Sequence, residues 1–209
     1  KLEEIEKIFY AKDLFPEDFI INLPSNNNYI GAKKLFNIPD DLDESVETDP
    51  LPVVRTFEND LLHGDEKLKK LERDWIPPRH KTTHTFEYDK DPNEMSPTLK
   101  YAIKSFFLSI AAKNIRVGKN DHNKMLINIT NWKDTQQQVV ELVNNEIVDL
   151  KAAIKGNFTS IMQEFQELWE KDFERTTTQL NNMLSEGSID LNQEANFEIY
   201  SWEKIKEQL

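Results

Sequence analysis

An α/β fold with predominantly helical content follows from three features of this 209-residue sequence. Residues 96–117, 134–155 and 157–185 carry apolar side chains at helical three- and four-residue spacing. Between the first two stands Met125-Leu126-Ile127-Asn128-Ile129, a run of strand formers too short for a helix. Ser-Pro, Gly and Pro fall where those elements should start and stop.

The first eleven residues place Leu2, Ile5, Ile8 and Phe9 on one face of an amphipathic helix. Phe19-Ile20-Ile21-Asn22-Leu23 predicts a short strand closed by Pro24, and 29–36 a brief helix around Gly31. Residues 37–52 hold Asp40, Asp41, Asp43, Glu44, Glu47 and Asp49 with almost nothing apolar, so they read as a linker. Residues 53–57 predict a strand, and 66–74 a helix broken at Trp75-Ile76-Pro77-Pro78. His80 and His84 stand four apart, but the β-branched residues between them and the preceding prolines predict extended backbone. Extended residues at that spacing lie about 13 Å apart, too far to share one metal ion, and no metal ligand is assigned.

Ser96 is an N-cap with Pro97 at the first helical position, and Gly118 is placed to end that helix. Leu99, Ile103, Phe106, Phe107, Ile110 and Ala111 form its apolar stripe. The strand at 125–130 then feeds a helix from about Asp134, where Asp134 and Gln137 have the spacing of a capping box. Its stripe is Val139, Val140, Val143, Ile147, Leu150 and Ile154, and Gly156 closes it. A second long helix returns antiparallel, with Asn157 or Ser160 as cap and Phe165, Trp169 and Phe173 along one core-facing side. Residues 197–202 predict a short strand or turn before a last helix beginning at Trp202.

Net charge is −12, which opposes non-specific attraction to nucleic acid or acidic membranes. The distribution is uneven. Residues 99–133 carry seven basic side chains, Lys100, Lys104, Lys113, Arg116, Lys119, Lys124 and Lys133, against the single acid Asp121. That island is +6, so the remainder is −18. No stretch approaches the roughly 20 apolar residues of a membrane span. The lack of cysteine rules out cysteine catalysis and disulfides and fits a cytoplasmic protein. No glycine-rich phosphate loop and no Gly-x-Ser-x-Gly elbow occurs. Asp65-Glu66-Lys67 matches a nuclease-like acid–spacer–lysine pattern that this composition produces by chance. Beginning at Lys1 and ending within a helical pattern at Leu209, the sequence is expected to be a segment of a longer protein.

Several blocks taken in order resemble one family. Leu14-Phe15-Pro16-Glu17-Asp18-Phe19-Ile20-Ile21-Asn22-Leu23-Pro24 with Asn28-Tyr29-Ile30-Gly31-Ala32 is the first. Pro52-Val53-Val54-Arg55, Ile76-Pro77-Pro78-Arg79-His80-Lys81 and Ser96-Pro97-Thr98-Leu99-Lys100-Tyr101-Ala102-Ile103 follow. His122-Asn123-Lys124-Met125-Leu126-Ile127-Asn128-Ile129-Thr130 completes the series. Together they resemble the Z-one (Z1) domain of bacterial proteins described as endonucleases, which accompanies a superfamily-two helicase core. Order and spacing agree over 14–138; beyond that the likeness is a helical pattern. Lys124, Asn128 and Asn131 stand where the family has Ser, His and Arg, and the last change removes a guanidinium suited to phosphate.

The resemblance implies an ATP-dependent DNA-processing endonuclease or helicase-like parent in restriction or phage defence. On that reading 1–36 ends the first RecA-like lobe, 37–95 is a connecting region, 96–156 begins the second lobe, and 157–209 is a helical insertion with its return segment. Residues 125–130 would be the second lobe's first strand, and the long helical hairpin would be inserted. ATP and a divalent metal would belong to the full-length protein, with no cofactor in this segment and no catalytic residue assigned in it. Lys113, Arg116, Lys119 and Lys124 are the candidate DNA contacts, and His122, Asn123, Thr130 and Asn131 the candidate lobe-interface residues. DNA is the expected partner of the parent, coupled through lobe motion. The alternative is a helical protein–protein interaction module with no nucleic-acid role, in which the basic island meets an acidic partner and the aromatic stripe docks it.

Overall fold

Apolar stripes at helical spacing need a common core, and the structure, a computed structural model, supplies one built of helices. It describes residues 35–36, 51–54, 75, 80–84, 94–118, 122–187 and 197–209. The first helix, α1, spans Pro97–Val117. Ser96 Oγ accepts from the Leu99 N–H, Pro97 opens the first turn, and Gly118 closes the helix at φ 62°, where a side chain would be strained. Its buried side is Ile103, Leu108, Ala111 and Ala112.

Helix α2 spans Lys133–Lys155 and buries Thr135, Val139, Leu142, Leu150 and Ala153. Val140, expected inward, is about half exposed, because Leu142 takes the central place on the buried face. The expected Asp134–Gln137 capping box is not formed. The helix starts one residue earlier, its N-cap is Trp132, and the Gln137 amide instead donates along the helix to Glu141. Asp134 still lies in the first turn, where its charge suits the helix dipole.

The turn after α2 is a Schellman motif. Phe158 N–H donates to Ala153 O and Asn157 N–H to Ile154 O, each at 3.0 Å. Asn157 takes the left-handed conformation at φ 49°, whereas Gly156 is right-handed. What Gly156 provides is space: a Cβ there would lie 2.5 Å from the Phe158 ring. The return helix begins at Thr159 with no side-chain cap, so neither Asn157 nor Ser160 serves that role. It runs as α3 (Thr159–Leu168), a π-helical stretch Trp169–Glu174, and α4 (Arg175–Ser185). A short last helix, α5, spans Trp202–Lys206.

The aromatic stripe lies in the core. Phe165 is fully buried, Trp169 nearly so, and Trp169 stacks on Phe173 with ring centroids 5.1 Å apart. The buried indole N–H donates to the Tyr200 carbonyl at 3.0 Å. Asn181 clasps the Phe197 backbone, accepting from its N–H at 2.7 Å and donating to its carbonyl at 3.0 Å. These bonds fix the segment 197–201 against the return helix, and α5 places Ile205 in the core beside α1.

Three expectations require correction: the strands at 125–130 and at the described start of 53–57, and the strand or turn at 197–202. Among the described residues there is no strand at all. Residues 125–130 are neither helical nor laddered; Ile127 and Ile129 pack on the core while Leu126 is 90% exposed. A strand requires a neighbour, and the bundle provides only helices. Residues 197–201 are likewise irregular, with the Phe197 amide and carbonyl and the Tyr200 carbonyl bonded by side chains of the return helix. Val53 lies in a tight turn, its N–H donating to Leu51 O, so no strand starts there. The βα unit of a RecA-like lobe therefore does not occur among the described residues. The helical hairpin does.

Leu35 and Phe36 are helical as expected. The helices expected at 1–11 and 66–74, the strand at 19–23 and the acidic linker lie outside the described residues, apart from 51–52 at the linker's end. No helix among the described residues is long and apolar enough to cross a membrane.

Candidate functional site

The N-terminal end of α2 gathers polar groups from two distant stretches of chain. Thr130 is buried, and its hydroxyl oxygen lies 2.5 Å from His80 Nε2 and accepts from the Trp132 N–H at 3.2 Å. The Trp132 indole N–H donates back to the His80 carbonyl at 3.2 Å, and Gln136 donates its amide to the Thr130 carbonyl at 2.5 Å. His84 Nε2 donates to the Trp75 carbonyl and Gln138 donates to the His84 carbonyl, both at 3.1 Å. Residues 80–84 are thereby tied to the first two turns of α2.

The extended geometry expected between the two histidines is wrong. His84 N–H donates to Lys81 O at 2.9 Å, a turn that brings the rings to 5.7 Å between centroids. Hydrogen bonds to α2 hold the turn. Among the described residues no three His, Asp or Glu side chains converge to form a metal site.

The basic island divides in two. Lys100 pairs with Glu94 and, at 3.9 Å, with Glu146, and Lys104 pairs with Glu164 on α3. These two lysines are part of the packing between helices. Burial pushes the Glu146 carboxyl above its ordinary range, against the opposing pull of Lys100 and Lys104. The far half is different. Lys113 Nζ donates to Asn123 Oδ1 at 3.0 Å, and the Arg116 guanidinium lies 5.8 Å from the Tyr200 ring centroid. Lys124 is exposed, and none of the three pairs with an acid among the described residues. Lys204 of α5 shares the Tyr200 ring at 5.7 Å and reaches Glu198 at 3.3 Å.

Of the expected DNA contacts, Lys113 and Arg116 therefore stand on the last turns of α1, Lys124 stands just beyond, and Lys119 lies outside the described residues. Of the expected interface residues, Thr130 is a buried hub and Asn123 anchors Lys113. His122 and Asn131 are exposed, and His122 makes no hydrogen bond among the described residues. The sequence reading missed His80, Gln136, Tyr200 and Lys204 as partners of this region. Only His80 carried a visible signal, since its block and the Thr130 block were already recognised as parts of one ordered series.

Near the α1 end a cavity of about 720 Å³ is lined by Asn114, Ile115, Gly118, Lys204 and residues 207–209. Polar groups of both signs line it, and no nucleophile–base pair stands there, so its walls offer binding surface and no assembled chemistry.

Comparison with curated proteins and with solved structures gives no match. A family model does match, over residues 98–209. That interval contains nearly all of α1 and every later helix, and extends well past residue 138, where the sequence likeness had faded to a helical pattern. The earlier blocks at 14–32, 52–55 and 76–81 precede it. Matched over more than half its length, from the first turn of α1 to Leu209, the chain belongs to the Z1 domain family.

Proposed function

We propose that this Z1 chain is a non-catalytic helical region of a larger ATP-dependent DNA-processing protein, endonuclease or helicase-like, and that it couples motion of that protein to DNA through the C-terminal end of α1. The observation that supports this most is the division of the basic island. Lys100 and Lys104 are neutralised by glutamates of the same fold, whereas among the described residues Lys113 meets an amide, Arg116 an aromatic ring, and neither an acid. In a chain of net charge −12, cations that meet no acid among the described residues are suited to an anion. ATP and a divalent metal are assigned to the parent and to no residue of this chain.

The rival reading, a protein-docking module working through its aromatic stripe, is weakened because Phe165 and Trp169 are already buried. Anisotropy of a labelled DNA duplex across a salt series tests the DNA reading. Three phosphate contacts give a log–log slope of about −3, a roughly forty-fold loss for a fourfold rise in salt. Exchanging Lys113, Arg116 and Lys119 for Glu should abolish the binding. No binding by the parent chain, or binding indifferent to that triple exchange, refutes it. The purified chain is expected to turn over no ATP, and turnover lost on a substitution within it would contradict the non-catalytic assignment.

A further inference from the structure

Residues 124–129 have a backbone that no described residue pairs with. They are neither helical, turned nor bent; Lys124 and Met125 are exposed, and from 126 to 129 exposure alternates, with Leu126 and Asn128 outward and Ile127 and Ile129 onto the core. That alternation is the signature of extended backbone. From Lys124 to Ile129 no backbone N–H or carbonyl bonds to any described residue. The side chains are strand formers, yet Leu126 is 90% exposed.

Both ends are fixed. Asn123 is held by the Lys113 ammonium at one end, and at the other Thr130 is buried and held by His80, Trp132 and Gln136. Held at both ends, these six residues offer an edge about 20 Å long when extended, and the pinning lowers the entropy cost of receiving a partner strand.

We propose that residues 124–129 are a strand-addition site for an extended peptide segment of another protein, one bearing carboxylates. The ladder calls for a peptide backbone, because only a backbone supplies donors and acceptors at the matching repeat. Charge selects its side chains: Lys124 lies in the edge and Lys113 and Arg116 stand near its start, with no acid among the described residues pairing any of them. A second copy fits poorly, since two copies paired here would bring their Lys113, Arg116 and Lys124 together. Nucleic acid could use the cations but would leave the ladder unpaired. This inference does not rest on the DNA reading.

The test uses the full chain and a labelled capped peptide of alternating valine and glutamate, with the valine–lysine peptide for comparison. The acidic peptide should bind saturably and slow hydrogen exchange across 124–129 at least about tenfold, while the basic peptide should not. Adjacent residues point their N–H groups to opposite edges, so Met125→Pro or Leu126→Pro should weaken binding about tenfold, whichever removes the donor on the pairing edge. Lys124→Glu should reverse the preference between peptides. If a proline variant fails to fold, an acidic peptide N-methylated at every residue removes the ladder's other donors, those of the peptide, on both of its edges and should not bind. Equal binding of both peptides, unchanged exchange across 124–129, or protection of those amides by duplex DNA or by self-association would each overturn the proposal. The proline variant that weakens the peptide separates the two readings: it keeps Lys113, Arg116 and Lys124, so duplex DNA binding should persist while the acidic peptide no longer protects 124–129.

Discussion

Replacing Trp169 by Phe removes the one buried hydrogen bond that holds the 197–201 segment to the π-helical stretch. Trp169 is 3% exposed, and its indole N–H donates to the carbonyl of Tyr200, itself 7% exposed. Phe keeps a ring facing Phe173 but leaves the carbonyl without a donor in a place water does not reach. An orphaned buried acceptor costs about 1–3 kcal/mol. The lost second ring leaves space that adds about 1–2 kcal/mol. The expected destabilisation is thus roughly 2–5 kcal/mol. Urea unfolding followed by circular dichroism reads it: with a slope of about 2–3 kcal/mol per molar, the midpoint should fall by about 1–2 M. Hydrogen exchange gives the local consequence, as amides of 197–206 should lose protection more than those of α2. Phe173→Leu is the comparison, because it removes the stack and leaves the bond to Tyr200. A midpoint shift worth less than about 0.5 kcal/mol, or loss of protection no greater in 197–206 than elsewhere, would refute the claim that this bond docks the segment.

Thr135 is fully buried with a hydroxyl that has no hydrogen-bond partner, so Thr135→Val should raise stability by about 1 kcal/mol in urea titration, and a loss would show that the hydroxyl is satisfied. At Asn157, whose φ is 49°, Ala should cost about 1 kcal/mol and Gly should be neutral or slightly stabilising; equal effects of the two would argue against a conformational cause. Glu146 has its carboxyl raised by burial, so the folded state holds that proton more tightly than the unfolded chain does. Its contribution is most favourable below the ordinary carboxylate value of 4.5 and is lost as pH rises through the folded value. Glu146→Gln should therefore stabilise the protein near neutral pH and lose that advantage in acid, whereas destabilisation at neutral pH would mean that the contact with Lys100 outweighs burial.

The sequence by itself determined the helices and several of their ends. Ser96-Pro97 and Gly118 bound α1 because an N-cap hydroxyl, a ring-fixed φ and a left-handed glycine act within a few residues. The 3.6-residue stripes likewise placed Phe165 and Trp169 in the core, and the ordered blocks carried the family. What failed was whatever depends on a distant partner. Met125 to Ile129 have strand chemistry, but a strand exists only when another chain segment supplies its ladder, and among the described residues none does. The capping box lost to an earlier helix start at Trp132, a choice tied to Thr130, Gln136 and a histidine 50 residues away. Tertiary structure alone decided which lysines of the basic island pair with Glu94, Glu146 and Glu164 and which meet no acid among the described residues. Charge along a sequence is additive, but neutralisation depends on distances of a few ångströms that only folding sets.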